Sequence, residues 1–217
     1  MSEIRQIFLI PDNGTNQDYL TNQKIPLSLM IGLIQEKMHE NNLVILVDKN
    51  DYEIGIMKKL KAHQGGRLHR ALSVFVFNEK NELLLQKRAL SKYHSGGLWT
   101  NTCCSHPQPG ENVQFSAERR LREEMGLTCH LTYAFQFQYE TKLNNNLIEN
   151  ELDHVFIGYS RELPNHDPAE VEEWKYMSIE SLNKEFATNP RKYTEWLKIC
   201  FNQLKTHLNS KVNTLSG

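Results

Sequence analysis

The order of patterns along this 217-residue chain predicts a mixed α/β (α+β) fold, a β-sheet core flanked by helices. Three observations carry that prediction. Strand-like apolar runs stand on both sides of one charged amphipathic helix, the chain closes on two helical segments, and no regular strand–helix–strand repeat links them. Residues 1–42 are set apart as an N-terminal extension, which leaves 43–217 as the domain.

In the extension, the apolar run Ile7 to Ile10 is too short for a signal-peptide core and lacks a small-residue cleavage site. "PLSLMIGLIQEKMHENN" places Leu27, Met30, Ile31 and Ile34 on one stripe, as in a helix packed on the main body. "LVILVD" then reads as a buried strand, "KNDYE" as a turn and "IGIM" as a second strand. "LSVFVFN" and "ELLLQKR", separated by "NEKN", form a hairpin. "VQFSAERRLREEMGL" is the charged helix, with Phe115 and Leu121 on its apolar side and Gly126 where a helix-ending glycine is expected. "LTYAFQFQYET" and "LDHVFIGYSR" are strands. "SIESLNKEFATNPRKYTEWLKICFNQLKTHL" is a helix pair broken near Pro190.

The charges nearly cancel, with 25 Lys and Arg against 26 Asp and Glu, so no global field favours nucleic acid or an anionic membrane. The four cysteines (Cys103, Cys104, Cys129, Cys200) include no C-x-x-C pair, which points to a reducing compartment and not to a disulfide framework. A cytoplasmic chain follows as the expectation. It should act on a small molecule, without a nucleic-acid or membrane partner, and a monomer suffices.

Chemistry enters at "RRLREEMGL", where Arg119, Arg120, Glu123 and Glu124 crowd one helix. Alone, such a cluster is most often a solvated face. Here it follows a glycine-containing loop and ends in E-E-x-G-apolar, and so resembles the signature helix of the Nudix superfamily. Aligned on Gly126, that signature falls on Glu111, Arg119, Leu121, Glu123, Glu124 and Leu127. The resemblance implies a Nudix-like fold. Two positions depart from it: Ser105 stands where the signature opens with glycine, and Arg120 replaces a carboxylate that hydrolytic members use. A Nudix-type pyrophosphohydrolase acting on a small diphosphate is therefore the alternative function and not the first one.

His63, His69, His106, Glu149 and Glu151 offer three imidazoles and two carboxylates, an octahedral-type set for a divalent ion. Glu149 and Glu151 are two apart on a strand and so share a face. Singly, each histidine is more often a surface or core residue than a ligand. Together with "WTNTCCSHPQPGE", "ALSK" and "LIENELDHVF", they resemble type I isopentenyl diphosphate isomerase from about Arg67 to Phe156.

That resemblance implies isomerisation of isopentenyl diphosphate to dimethylallyl diphosphate, in isoprenoid biosynthesis. It implies Cys104 and Glu151 as the catalytic pair, Tyr139 as hydrogen-bond partner of Glu151, and His63, His69, His106, Glu149 and Glu151 as ligands of a Mg2+, Mn2+ or Zn2+ ion. His63 and His69 stand six apart, one fewer than in some relatives. Glu124 corresponds to the ligand of a magnesium ion carried with the substrate diphosphate. Lys59, Arg88, Lys92 and Arg120 correspond to the diphosphate clamp, and Trp196 to an aromatic face against the hydrocarbon. No flavin is implied. Cys103 is expected to be a packed apolar neighbour of Cys104.

Overall fold

The computed structural model describes residues 42–143 and 146–215, with side chains as far as Ser210. The expected extension, and its stripe of Leu27, Met30, Ile31 and Ile34, lies outside the described residues.

Strands form where the sequence is β-branched, aromatic or leucine-rich. In chain order they are β1 (Leu43–Val47), β2 (Glu53–Lys58), β3 (His69–Phe77), β4 (Leu83–Arg88), β5 (Trp99–Thr100), β6 (Cys103–Ser105), β7 (Leu131–Lys142), β8 (Ile148–Tyr159) and β9 (Val171–Met177). The helices are α1 (Lys59–Gln64), α2 (Val113–Met125), α3 (Ile179–Thr188) and α4 (Glu195–Leu215). A single 3-10 turn, Pro190–Lys192, separates α3 from α4 at the predicted break.

All nine strands join one mixed sheet with the path β2-β1-β3-β4-β5; β6 and β8 also pair with β3, β7 with β8, and β9 with β4. The "NEKN" hairpin forms with Phe77 opposite Leu83, and Asn78 Oδ1 accepts from the amides of Lys80 and Glu82. β3 is the hub. It runs antiparallel to β6 and parallel to β8, and it is apolar on both sides because both sides are covered.

Side-chain alternation sorts the core into two layers. Phe75, Phe77, Leu83, Leu85, Val155 and Ile157 face α4, meeting Leu197, Phe201 and Leu204. Leu72, Val74, Val76, Leu84 and Phe156 face α2, meeting Ala117, Leu121 and Met125.

Asn112 caps α2, accepting from the amides of Gln114 and Phe115. The inward face of α2 is Ala117, Leu121, Glu124 and Met125. Phe115, expected on that face, is 68 % exposed, because at helical spacing six positions before Leu121 points elsewhere.

Gly126 ends α2 at φ 65, and a Cβ there would meet the Asn165 carbonyl oxygen at 2.3 Å. Gly126→Ala should therefore destabilise the fold by about 2–4 kcal/mol, combining the left-handed backbone with a forced shift of Asn165. A urea midpoint unchanged from the parent would refute this.

Four elements had no clear pattern in sequence. α1 is six residues long, β5 two and β6 three, below the length at which a period shows. β9 carries exposed Glu172 and Glu173 in its apolar run, since it pairs only with β4. No described helix is long and apolar enough to cross a membrane.

Candidate active site

β3 and β8 lie side by side with His69 opposite Glu151, and β6 brings Cys104 opposite Ser73 on the other flank. Parity then puts His69 and Ser73 of β3, Glu149, Glu151 and Asp153 of β8, and Cys104 on the face toward α4. Cys103 takes the opposite face and is fully buried with Leu72, Val74 and Leu121. The two adjacent thiols therefore serve different layers.

The imidazoles are pre-oriented by the backbone. His63 Nδ1 donates to the Lys59 carbonyl and His69 Nδ1 to the Arg67 carbonyl, each at 2.7 Å. In the neutral rings this leaves each Nε2 as a bare lone pair. Both Nε2 atoms are buried without a hydrogen-bond partner, as is Glu149 Oε2. Donor atoms of His63, His69, His106 and Glu151 all lie within 4.8 Å of one another, as do those of His63, His94 and Glu149. Converging buried lone pairs and carboxylates are what a divalent cation requires, so these residues fit such an ion.

The site is polar and buried. His106 Nε2 donates to Glu151 Oε1 at 2.8 Å and Tyr139 OH to Glu151 Oε2 at 2.5 Å. Burial, then Lys59, holds His63 below the ordinary histidine range, and the same causes push His106 further down. Burial and the neighbouring Glu151 push Glu149 well up. Burial alone would raise Glu151 too, but His106 and His69 outweigh it and hold Glu151 well below the carboxylate range. Burial also lowers Lys59 to about 8, against the pull of Glu149.

Cys104 Sγ donates to Asn101 Oδ1 at 2.8 Å and receives the Trp196 indole N–H at 3.1 Å. Asn101 is itself fixed, donating to the carbonyls of Val74 and Cys103. Burial, then Asp153, pushes Cys104 up to about 12, with Thr100 and Arg88 pulling the other way. Asp153 accepts from the Ser73 hydroxyl at 2.7 Å beneath the sulfur.

Cys104, His106, Tyr139, Glu149, Glu151 and Trp196 line one cavity with Lys59, Arg88 and His94. Its volume is about 30 Å³, room for one or two waters. The Arg88 guanidinium lies over the Trp196 ring, 5.3 Å from its centroid.

The other predicted residues gather on the α2 side of the sheet. Arg120 pairs with Glu124 at 2.5 Å, Glu123 at 2.7 Å and Glu170 at 3.5 Å, and Lys92 also pairs with Glu170. Glu124 is buried, its second oxygen accepting from Gln86 at 3.0 Å. Arg119 grips Glu111 with two hydrogen bonds, and that guanidinium holds Glu111 down to about 2. Lys92, Arg120 and Glu124 therefore do not line the cavity of Cys104 and Glu151.

Sequence reasoning missed His94, Asn101, Asp153 and Glu170. Asp153 was within reach, since it continues the two-residue step from Glu149 and Glu151. His94 and Glu170 lie in irregular segments with no periodicity to follow.

Known proteins resemble this chain at two levels. Residues 67–197 match the NUDIX domain. The isopentenyl-diphosphate Delta-isomerase 1 of Aromatoleum aromaticum is 52 % identical over 161 residues, covering 74 % of this chain and 91 % of that protein. The isopentenyl-diphosphate Delta-isomerase of Pectobacterium atrosepticum is 49 % identical over 158 residues, covering 73 % and 88 %. Among solved structures, the MutT protein from Methanosarcina mazei Go1 superposes with a TM-score of 0.54 at 20 % identity, covering 64 % of this chain and 94 % of that one. A Deinococcus radiodurans protein superposes with a TM-score of 0.57 at 17 % identity, covering 68 % and 90 %. The two structures share the fold.

Proposed function

This chain belongs to the type I isopentenyl-diphosphate Delta-isomerases of the NUDIX superfamily, and we propose that Cys104 and Glu151 are the pair that moves the proton. It isomerises isopentenyl diphosphate to dimethylallyl diphosphate. The observation that carries the proposed pair is the cavity where a thiol and a carboxylate converge beside an indole ring.

The reaction adds a proton to the terminal methylene carbon and removes one from the carbon next to the C–O carbon, through tertiary carbocation character. Glu151 in its acid form gives the first proton, and the Cys104 thiolate takes the second. Trp196 supplies an aromatic face for the cation and a hydrogen bond to the sulfur, the former worth about 2 kcal/mol when desolvated. Water must be kept from the cation, which the hydrocarbon does by filling the space beside Cys104 and Trp196.

A turnover in this direction leaves Glu151 as the carboxylate and Cys104 as the thiol. Before the next turnover Cys104 must lose the proton it took and Glu151 must regain one, with the Tyr139 hydroxyl, hydrogen-bonded at 2.5 Å, adjacent to Glu151 as a relay.

His63, His69, His106, Glu149 and Glu151 would hold a divalent ion, whose charge stabilises the carboxylates and orders the acid. Three imidazoles favour Mn2+ or Zn2+ over Mg2+ there. We assign Mg2+ to the substrate diphosphate near Glu124, which must exchange Arg120 or Gln86 to hold it. Lys59 and Arg88 meet the diphosphate from within the cavity, with Lys92 and Arg120 released to it from Glu170. Four cysteines without a C-x-x-C pair support a cytoplasmic setting, and the cavity needs no second copy to act on a small molecule as a monomer.

The test is incubation with isopentenyl diphosphate and a divalent ion, following both allylic product and released phosphate. Allylic product without phosphate is expected, with deuterium in the new methyl group when the solvent is D2O. Phosphate without allylic product would establish the pyrophosphohydrolase instead.

A further inference from the structure

Glu149 sits at one side of the ion site, and it faces a fourth imidazole. Its Oε2 lies 3.0 Å from His63 Nε2, and its Oε1 lies 3.5 Å from His94 Nε2. The contact with His63 is not a hydrogen bond: both atoms remain unpartnered although His63 is 0 % and Glu149 3 % exposed. His94 is buried in the irregular segment between β4 and β5. Its ring stands edge-on to Tyr93 at 4.4 Å and to Trp196 at 5.9 Å, and its Nδ1 has Ser95 Oγ at 3.4 Å. That leaves Nε2 as the atom aimed at Glu149.

We propose that His63, His94 and Glu149 form a second position for a divalent transition-metal ion, adjoining the His69, His106 and Glu151 donors. This rests on the reading of those donors as an ion site.

Two features define how the positions relate. The ligand atoms of each group lie within 4.8 Å of one another; His63 is common to both groups, and Glu149 is shared with the ligand set proposed above. His63 has one lone pair to give, because its other nitrogen is spent on the Lys59 carbonyl. The two positions are therefore alternatives for one ion and not a two-metal centre. The second has two imidazoles and one carboxylate, which leaves coordination open for water or a phosphate oxygen. Its imidazoles select Mn2+, Co2+ or Zn2+ against Mg2+. Because His94 packs on Trp196, which holds the Cys104 thiol, an ion there stands next to the thiol's support.

The test uses Co2+ with full-length, metal-stripped protein, read by competition against a chromophoric chelator and by d–d absorption. H94F keeps an aromatic ring against Tyr93 and Trp196 but has no donor. Alone it leaves the His69, His106 and Glu151 position to hold the ion, so its effect is read in the H69A background, where it should weaken Co2+ binding at least about tenfold with Mg2+ binding unchanged. H69A should retain one Co2+ with the intense absorption of low coordination number, and H69A/H94F should lose it. H94Q repeats the measurement with a polar side chain should the phenyl ring impair folding, as read by melting in chelator.

Equal Co2+ affinity and identical spectra for H69A, H69A/H94F and H69A/H94Q would overturn the proposal while leaving the first ion position standing. A parent chain that takes up no Co2+ at all would overturn both.

Discussion

Cys104→Ala is expected to lower turnover by about 10²–10⁴-fold, the span of a lost general acid or base. It removes the sulfur that receives the Trp196 N–H at 3.1 Å and donates to Asn101 at 2.8 Å. The buried indole N–H then lacks its acceptor, a cost of about 1–3 kcal/mol. Cys104→Ser separates the two effects: a hydroxyl keeps both hydrogen bonds but is a far poorer proton carrier. Stability should return and activity should not. Cys103→Ala should cost on the order of 1 kcal/mol by trimming the layer against α2, with turnover near the parent's. Steady-state kinetics and urea melts on the three variants decide it. Equal loss from both alanine variants would mean that the proton-carrying thiol has been misassigned.

Glu151→Gln is expected to be at least as severe. The amide keeps the shape and can still meet Tyr139 and His106, but it cannot cycle between acid and carboxylate. It also withdraws an anionic donor from the group with His63, His69 and His106. Metal content after purification should therefore fall together with turnover, whereas Cys104→Ala should leave metal content alone. Elemental analysis of the two proteins side by side distinguishes the roles. Normal activity in Glu151→Gln would sink the acid assignment outright.

What could be read in advance was whatever one strand or one helix encodes by itself. Glu149 and Glu151 share a face because they are two apart, and the capped, glycine-terminated α2 announces both its ends. The packed position expected of Cys103 came from the resemblance, and alternation along the three residues of β6, too short to show in the sequence, is its physical reason. Positions that depend on irregular backbone were not legible. His94 acquires meaning only once the segment after β4 folds it against Glu149, and Glu170 only when it meets Lys92 and Arg120. The cationic residues show the limit from the other side. The resemblance names Lys59, Arg88, Lys92 and Arg120 together, whereas their division between the cavity and the Glu170 cluster is a property of the two sheet faces.

The parallel pairing of β3 with β8 has a kinetic consequence. Ser73 and Asp153, bonded at the centre of that pairing, are 80 positions apart in the chain, so the two strands meet only after a long loop has closed. Such contacts form late and slowly compared with the local β1–β2 and β3–β4 turns. During refolding, uptake of a transition metal should therefore lag behind the return of secondary structure. An ion taken up at the proposed site would report the last stage of assembly, and chelator added early should not slow what precedes it.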